Sequence, residues 1–394
     1  MRGYPRSDGR KGIRNLVAVA YLVECAHHVA RKIVEPHDEV AHLIGFPGCF
    51  PNAYAQRMME RLCTHPNVGA VVLVSLGCES FDRQKLAETV RATGRAVETL
   101  VIQRDGGTRA TVEAGRAMVA RMAEGLEGAE TVPMDISELV VGTVCGGSDG
   151  TSGLTGNPAV GVAFDRLVAA GATCIFEETG ELIGCEDIMA ARAATPELGA
   201  EIRASVDKAA RYYATLGFGS FAAGNAEGGL TTIEEKSLGA YAKSGQSAIS
   251  GLIKPGDIPP RGGLYLMDVV PDGEVRYGFP NISDNAEIVE MMASGAHLTL
   301  FVTGRGSVVG SALAPVIKIA ANPHMYARLS EDMDINAGRI LTEGASVEEV
   351  GAEITALVRR VADGHPTKSE ELGHTEFILT YKTFEPLGPA CLPV

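Results

Sequence analysis

Residues 142–161 read GTVCGGSDGTSGLTGNPAVG, and the fold turns on how they are read. An apolar run, Leu139 to Val144, leads into a loop of small residues, and Asn157 and Pro158 then have the pattern of a helix N-cap and first helical residue. Strand, loop and helix in succession are a unit of an open α/β sheet. Such a junction lies at the carboxyl edge of the strands, where glycine lets a ligand approach the backbone and a helix N-terminus favours anions. A tight connection alone would call for Gly and Asp but gives no reason for a cysteine beside them. Cys145, Gly146, Gly147, Ser148 and Asp149 are therefore read as a site.

Working back to the N-terminus, apolar runs alternate with amphipathic segments. Strands are expected at Leu16–Tyr21, Val40–Gly45, Val68–Ser75 and Val97–Ile102, and helices at Ala26–Val34, Ala53–Cys63, Arg83–Thr93 and Thr108–Glu124. That alternation implies a parallel sheet with right-handed crossovers. Gly125 to Pro133 reads as a linker. Forward of Cys145 the scheme repeats less regularly, with strands at Thr173–Phe176, Gly263–Asp268, His297–Val302 and Val316–Ala320. Helices fall between Asp187 and Tyr213 and at Ile233–Lys243, Ala286–Ala293 and Val347–Ala362, and a Gly-rich loop covers Gly217–Gly229. The expected fold class is α/β, with two three-layer domains of mainly parallel sheet. Residues 1–130 form the first, and 134–394 form a second, Rossmann-like domain.

The chain has 394 residues, 45% of them hydrophobic and 21% charged, enough to bury a large interior in more than one domain. A net charge of -14 argues against a nucleic-acid surface. No apolar run reaches the roughly 20 residues that span a bilayer, and no signal-like segment opens the chain, so a cytoplasmic protein without a membrane partner is expected. The eight cysteines form no CxxC pair and are expected to be reduced.

Several constellations carry chemistry. Cys25, Cys49 and Cys78 each follow an inferred strand, so a parallel sheet would place them on one edge. They could hold iron or an Fe–S cluster there, or be small buried hydrophobes. Glu178, Glu181 and Glu186 follow the strand at Thr173–Phe176 and could bind a hard cation or move a proton, unless they form a solvated acidic turn. Asn225, Gly228, Gly229, Thr231 and Thr232 lead into Glu234, Glu235 and Lys236. Thr232 with Glu235 fits a capping box, and the rest fits a carboxylate-binding loop. Thr303 to Gly310, TGRGSVVG, offers Gly304, Gly306 and the fork of Arg305 for a substrate carboxylate, while its GxGxxxG spacing departs from the dinucleotide fingerprint. Lys318 sits inside an apolar strand, and Asp332, Asp334 and Asn336 either ligate a metal or end a strand.

Longer matches then become visible: GYPRSDGRKGIRN at 3–15, HPN at 65–67, LGCE at 76–79, IQRDGGT at 102–108, CGGSDGTSGLTGNPAVG at 145–161, GNAEGGLTTIEEKSLG at 224–239, TGRGS at 303–307, PVIK at 315–318 and MDINAG at 333–338. Together they resemble the altronate and galactarate dehydratase family nearly end to end. The resemblance implies a hydro-lyase, activated by iron, that converts a sugar acid to a 2-keto-3-deoxy acid. It further implies a first domain used for dimerisation, giving a homodimer or larger, and a C-terminal domain that carries a divalent metal, ferrous iron before an Fe–S cluster. Relatives often carry a small N-terminal β-rich domain or pair with a subunit of that kind; this chain opens on GYPRSDGR and so resembles a large subunit with a small partner.

The family's sulfolactate sulfo-lyase large subunit has the same organisation and expels sulfite. Three functions follow as expectations: a metal-dependent sugar-acid dehydratase, a sulfo-lyase, and a non-catalytic metabolite- or nucleotide-binding subunit. For the first, Lys236 and then Lys318 are the expected bases, and Arg305 grips the carboxylate. Cys145, Asp149, Glu178 and Glu181 hold the metal, and Gly146, Gly147, Ser148, Asn225, Gly228, Gly229, Thr231, Thr232, Gly304 and Gly306 bind substrate.

Overall fold

The structure is a computed structural model that describes residues 1–215, 221, 223–272 and 283–384. Two short strands, β1 (Arg2–Pro5) and β2 (Lys11–Gly12), precede β3 (Leu16–Tyr21), α1 (Glu24–Val34), β4 (Ala41–Gly45), α2 (Ala53–Cys63), β5 (Val68–Ser75), α3 (Arg83–Ala92), β6 (Ala96–Val101) and α4 (Gly107–Leu126). The sheet formed here is parallel in the order β4-β3-β5-β6, as the β/α alternation requires. The expected linker is partly structured. Gly125 and Leu126 close α4, and Val132–Pro133 is a strand, β7, that pairs antiparallel with Arg2 and Gly3 because the N-terminus folds back beside it.

A second sheet begins with β8 (Val140–Cys145), α5 (Gly156–Ala169), β9 (Thr173–Phe176), α6 (Glu186–Ala191), α7 (Pro196–Thr215), α8 (Ala223–Glu227) and α9 (Ile233–Tyr241). It continues with β10 (Ile249–Ile253), β11 (Gly263–Met267), α10 (Asp284–Ala293), β12 (Leu298–Thr303), β13 (Val316–Ala320), α11 (Pro323–Arg328), β14 (Ile335–Asn336), α12 (Arg339–Thr342) and α13 (Val347–Ala362). All seven strands run parallel in the order β10-β11-β9-β8-β12-β13-β14. The strand β10 is unforeseen from sequence, since ISGLI is short, glycine-interrupted and enters with an irregular register at the sheet's edge. Of the Gly-rich loop, Gly217 to Ser220 and Ala222 lie outside the described residues, and Ala223–Glu227 is helical.

Alternation along the strands explains the layers. Val17 and Val19 of β3 face α1 and α4 through Val29, Ile33 and Val119, while Ala18 and Ala20 face the other way. That second face shares one apolar cluster with Met58, Met59 and Leu62 of α2, Leu86 and Val90 of α3, Ile288 and Met292 of α10, and Val144 and Phe301 of the second sheet. The two three-layer regions therefore share their inner helical layer. On the far side, Val141, Cys145 and Leu300 pack with Ala163 and Phe164 of α5 and Ile354 and Val358 of α13. Among the described residues no helix is long and apolar enough to cross a membrane.

Candidate active site

β8 sits where the strand order reverses, with β9 on one side and β12 on the other. The binding crevice of an open parallel sheet lies there, because the crossovers on the two sides leave to opposite faces and part the loops. Cys145 is the last residue of β8. Its loop is pinned to the turn after β12, since the Gly147 carbonyl accepts from Gly304 and Arg305 N–H at 3.2 and 2.9 Å. Gly146 is obligatory, because a Cβ there would strike the Asp284 carboxylate.

A cavity of about 290 Å³ opens over this edge, lined by Cys145, Gly146, Gly147, Ser148, Glu178, Glu181, Tyr213, Asn225, Lys236, Asp284, Glu287 and Arg305, among others. The Cys145 Sγ, Glu178 and Glu181 each offer a ligand atom, all within 4.8 Å of one another. The Cys145 thiol lies 3.3 Å from Glu178 Oε2 and 3.7 Å from Glu181 Oε2. Lys243 Nζ, fully buried, approaches the same sulfur at 3.4 Å and pairs with Glu178. Glu178 is the only described non-glycine residue with positive φ, at 80°, a backbone state that L-residues avoid and that concentrates at functional positions.

Lys236 is 5% exposed and pairs with Glu181. Burial lowers its pKa, opposed by the nearby charges of Cys145 and Asp284. Asp284 is pushed up by burial. Glu287 is raised to about 7, by burial first and then by Asp284. Burial likewise drives Glu177 well above the carboxylate range, with Glu287 adding to it. Net negative charge and a water-poor interior thus meet beside two lysines, the setting in which acid and base roles are separated.

The sequence-chosen residues divide clearly. Cys145, Gly146, Gly147, Ser148, Glu178, Glu181, Asn225, Lys236 and Arg305 line one cavity. Arg305, its side chain 42% exposed at the rim, holds Glu227 and the Gly224 carbonyl, each at 2.8 Å. Asp149 stands apart. Its carboxylate accepts from the Thr151 N–H and hydroxyl, the Ser152 hydroxyl and Asn322 Nδ2, fixing the loop from behind. Gly304 backs that carboxylate, too close to it to bear a Cβ, Gly228 abuts the Ser148 carbonyl and the Asp149 Cα, and Gly229 and Gly306 take positive φ in the adjoining turns. Thr232 caps α9 through the Glu235 N–H at 3.2 Å, but the reciprocal bond to the Glu235 carboxylate comes from Thr231. The helix after the Cys145 loop begins at Gly156, so Asn157 is inside it, donating to the Gly239 carbonyl, and is not its cap. Lys318 is buried away from the cavity, 3.2 Å from His374 Nδ1. The Asp334 carboxylate receives the N–H groups of Lys318 and Lys368, which is strand termination.

Cys25, Cys49 and Cys78 follow β3, β4 and β5 at one edge, as the parallel sheet requires, and all three are exposed. They do not bring three ligand atoms within 4.8 Å. Sequence reading missed Glu177, Lys243, Tyr213, Asp284 and Glu287. The last two had a signal, since DNAEIVEMM sets acids at 284, 287 and 290, one helical face, within an otherwise apolar helix.

Comparison with known proteins identifies the family. Residues 3–127 match the second domain of D-galactarate dehydratase/altronate hydrolase, and residues 136–384 match the C-terminal domain of D-galactarate/altronate dehydratase. The chain belongs to the D-galactarate/altronate dehydratase family. Within it, the chain is 33% identical to a (2R)-sulfolactate sulfo-lyase subunit beta of Chromohalobacter salexigens over 96% of both chains. It is 31% identical to a galactarate dehydratase (L-threo-forming) of Escherichia coli, over 92% of this chain and 72% of that one. With an altronate dehydratase of Bacillus subtilis the identity is 29%, over 94% and 75%. The chain is thus an enzyme of the hydro-lyase kind, which removes the expectation of a non-catalytic binding subunit.

Proposed function

We propose that the enzyme dehydrates a sugar acid, an aldonate or aldarate, to a 2-keto-3-deoxy acid, using a divalent metal, ferrous iron first, held by Cys145, Glu178 and Glu181. The observation that carries this reading is the convergence of Lys236, Asp284 and that mixed sulfur and oxygen donor set in one buried cavity. A metal held there would supply positive charge to polarise the substrate's carboxylate and hydroxyl oxygens.

The chain's own residues account for the proton transfers. Lys236, favoured toward its neutral form by burial, takes the proton from the carbon beside the carboxylate. Asp284 gives a proton to the departing hydroxyl; the C–H and C–O bonds break, water leaves, and the enol formed tautomerises to the ketone. Ser148, Asn225 and Tyr213 supply hydrogen-bonding groups for a polyol chain, and Arg305 at the rim receives the carboxylate. A small β-rich subunit and a second copy of this chain are proposed partners, the first supported by the relative named subunit beta.

A second reading, sulfite release from sulfolactate, is favoured by the 33% identity along both full chains. Glu178, Glu181, Asp284 and Glu287 around the cavity favour a substrate with several hydroxyl donors, which an aldonate or aldarate has and sulfolactate, with one hydroxyl on three carbons, lacks. The deciding experiment is a product assay of anaerobically purified chain with ferrous iron, with and without the small subunit, on aldonates, aldarates and sulfolactate. A keto-deoxy acid is expected; sulfite alone would establish the second reading, and activity in a rigorously metal-free preparation would end the metal requirement.

A further inference from the structure

We propose that Glu227 is a specificity-determining residue whose carboxylate competes with the substrate's for the guanidinium of Arg305. The inference rests on the reading of Arg305 as the carboxylate grip, and it holds alike for a sugar acid and for sulfolactate, since both carry that group. Arg305 Nη2 donates to Glu227 Oε2 and Nη1 to the Gly224 carbonyl, so α8 engages both terminal nitrogens. A Cβ on Gly224 would strike Nη1, so the guanidinium lies directly against the backbone of that helix. A bidentate carboxylate needs two parallel N–H groups, and it reaches the end of the fork by replacing Glu227. Approach by the Nε edge would set two carboxylates on neighbouring nitrogens, like charge beside like.

Two features make Glu227 the carboxylate that gives way. The first is charge. Lys243 pairs with Glu178 and Lys236 with Glu181, so a substrate that drew on either ammonium would leave one of those cavity carboxylates unpaired. Glu227 stands outside the cavity lining, and its side chain is 67% exposed, so on release it passes into water. The second is cost. A solvated ion pair is weak, whereas a carboxylate that covers the guanidinium as it binds makes a stronger, two-pronged contact. Only molecules with Arg305 free bind the acid directly, so the pair weakens apparent affinity by the reciprocal of that fraction, about two- to sixfold. A lactone or amide of the same carbon chain has no carboxylate with which to displace Glu227, and the site therefore selects the acid.

The test has one arm without substrate and one with it. In the first, phenylglyoxal labels the full chain and mass spectrometry follows Arg305, which should react faster by that factor in Glu227→Gln. In the second, kinetics are measured on whichever aldonate, aldarate or sulfolactate the enzyme turns over. Glu227→Gln should lower KM by the same factor with kcat held within about twofold, and Glu227→Ala should agree in sign. Arg305→Met should raise KM, and adding Glu227→Gln to it should change nothing further. A KM that rises in Glu227→Gln would overturn the proposal and make Glu227 a residue that orients the fork. An equal fall in the Arg305→Met background would overturn it in favour of a general effect of charge. Faster labelling with an unchanged KM would keep the ion pair but end the competition, and the reading of Arg305 as the grip with it. Unchanged labelling and unchanged KM would overturn the proposal outright.

Discussion

At the carboxyl edge of the first sheet, the segments after β3, β4 and β5 carry Cys25, Cys49 and Cys78, all exposed; at that of the second, Cys145 ends β8 and Glu177 and Glu178 follow β9, all buried. Both edges arise from the same strand-to-helix succession. What separates them is cover. Beyond β8, the helix α9 brings Lys236, Lys243 follows it, and α10 brings Asp284 and Glu287, so side chains from distant segments are desolvated together. Charges that share a low-dielectric space couple strongly; thiols facing water do not.

The comparison breaks most decisively at Lys236. Lys236→Met should lower kcat by 10² to 10⁴, the usual share of a general base, with the circular dichroism spectrum unchanged. Near-normal turnover would move the chemistry away from this edge.

Stability tests the seam between the regions. Lys382 Nζ, 0% exposed, pairs with Glu290 of α10 at 2.8 Å, and the Glu290 carboxylate also accepts from Tyr54 of α2. Removing one partner strands a buried charge, so Lys382→Met should cost about 3–5 kcal/mol in denaturant unfolding. A loss below 1 kcal/mol would mean the seam does not depend on this pair.

Acid should act on the same seam. His297 accepts from the Val140 N–H and donates to the Lys11 carbonyl, and Asn67 of the HPN turn donates to the His297 carbonyl. Burial, above all, holds His297 down to about 4 from 6.5. The folded state then binds fewer protons than the unfolded one between those values. Its stability is complete above pH 6.5 and falls as pH drops toward 4, by roughly 3 kcal/mol from this residue, with His65 adding in the same direction. His297→Gln should flatten that slope in unfolding measured from pH 7 to 4.5.

Smaller effects sharpen the contrast. Arg305→Ala is expected to raise KM and lower kcat/KM about tenfold, less than for an enclosed fork, because the guanidinium is partly solvated and engages Glu227. The triple variant Cys25→Ser/Cys49→Ser/Cys78→Ser should keep its iron content, while Cys145→Ser should lose it. The opposite result in metal analysis would transfer the metal centre to the first sheet.

Much of the fold was legible because it is local. Val347–Ala362 could be bounded to the residue, since Ser346 and Glu349 cap a helix whose apolar positions recur on one face. Apolar runs likewise fixed β3, β5, β9 and β13. Cys145 was found because it ends a strand at a glycine-rich loop, and Lys236 because helix capping leaves it unexplained after a glycine pair, cues that operate within a few residues. Position in sequence could not separate Lys236 from Lys318, or Glu178 from Asp149. Those differences depend on direction: Lys318 turns toward His374, and Asp149 turns back onto its own loop and Asn322. Lys243 and Glu177 carry no local mark at all, for their meaning comes from burial beside Glu178 and Glu287, and burial is a property of the packed layers. The sequence alone determined the β/α succession, the family and the loop that carries Cys145; the tertiary structure alone decided which charges share a dry space, because desolvation and proximity are set by contacts between segments far apart in the chain.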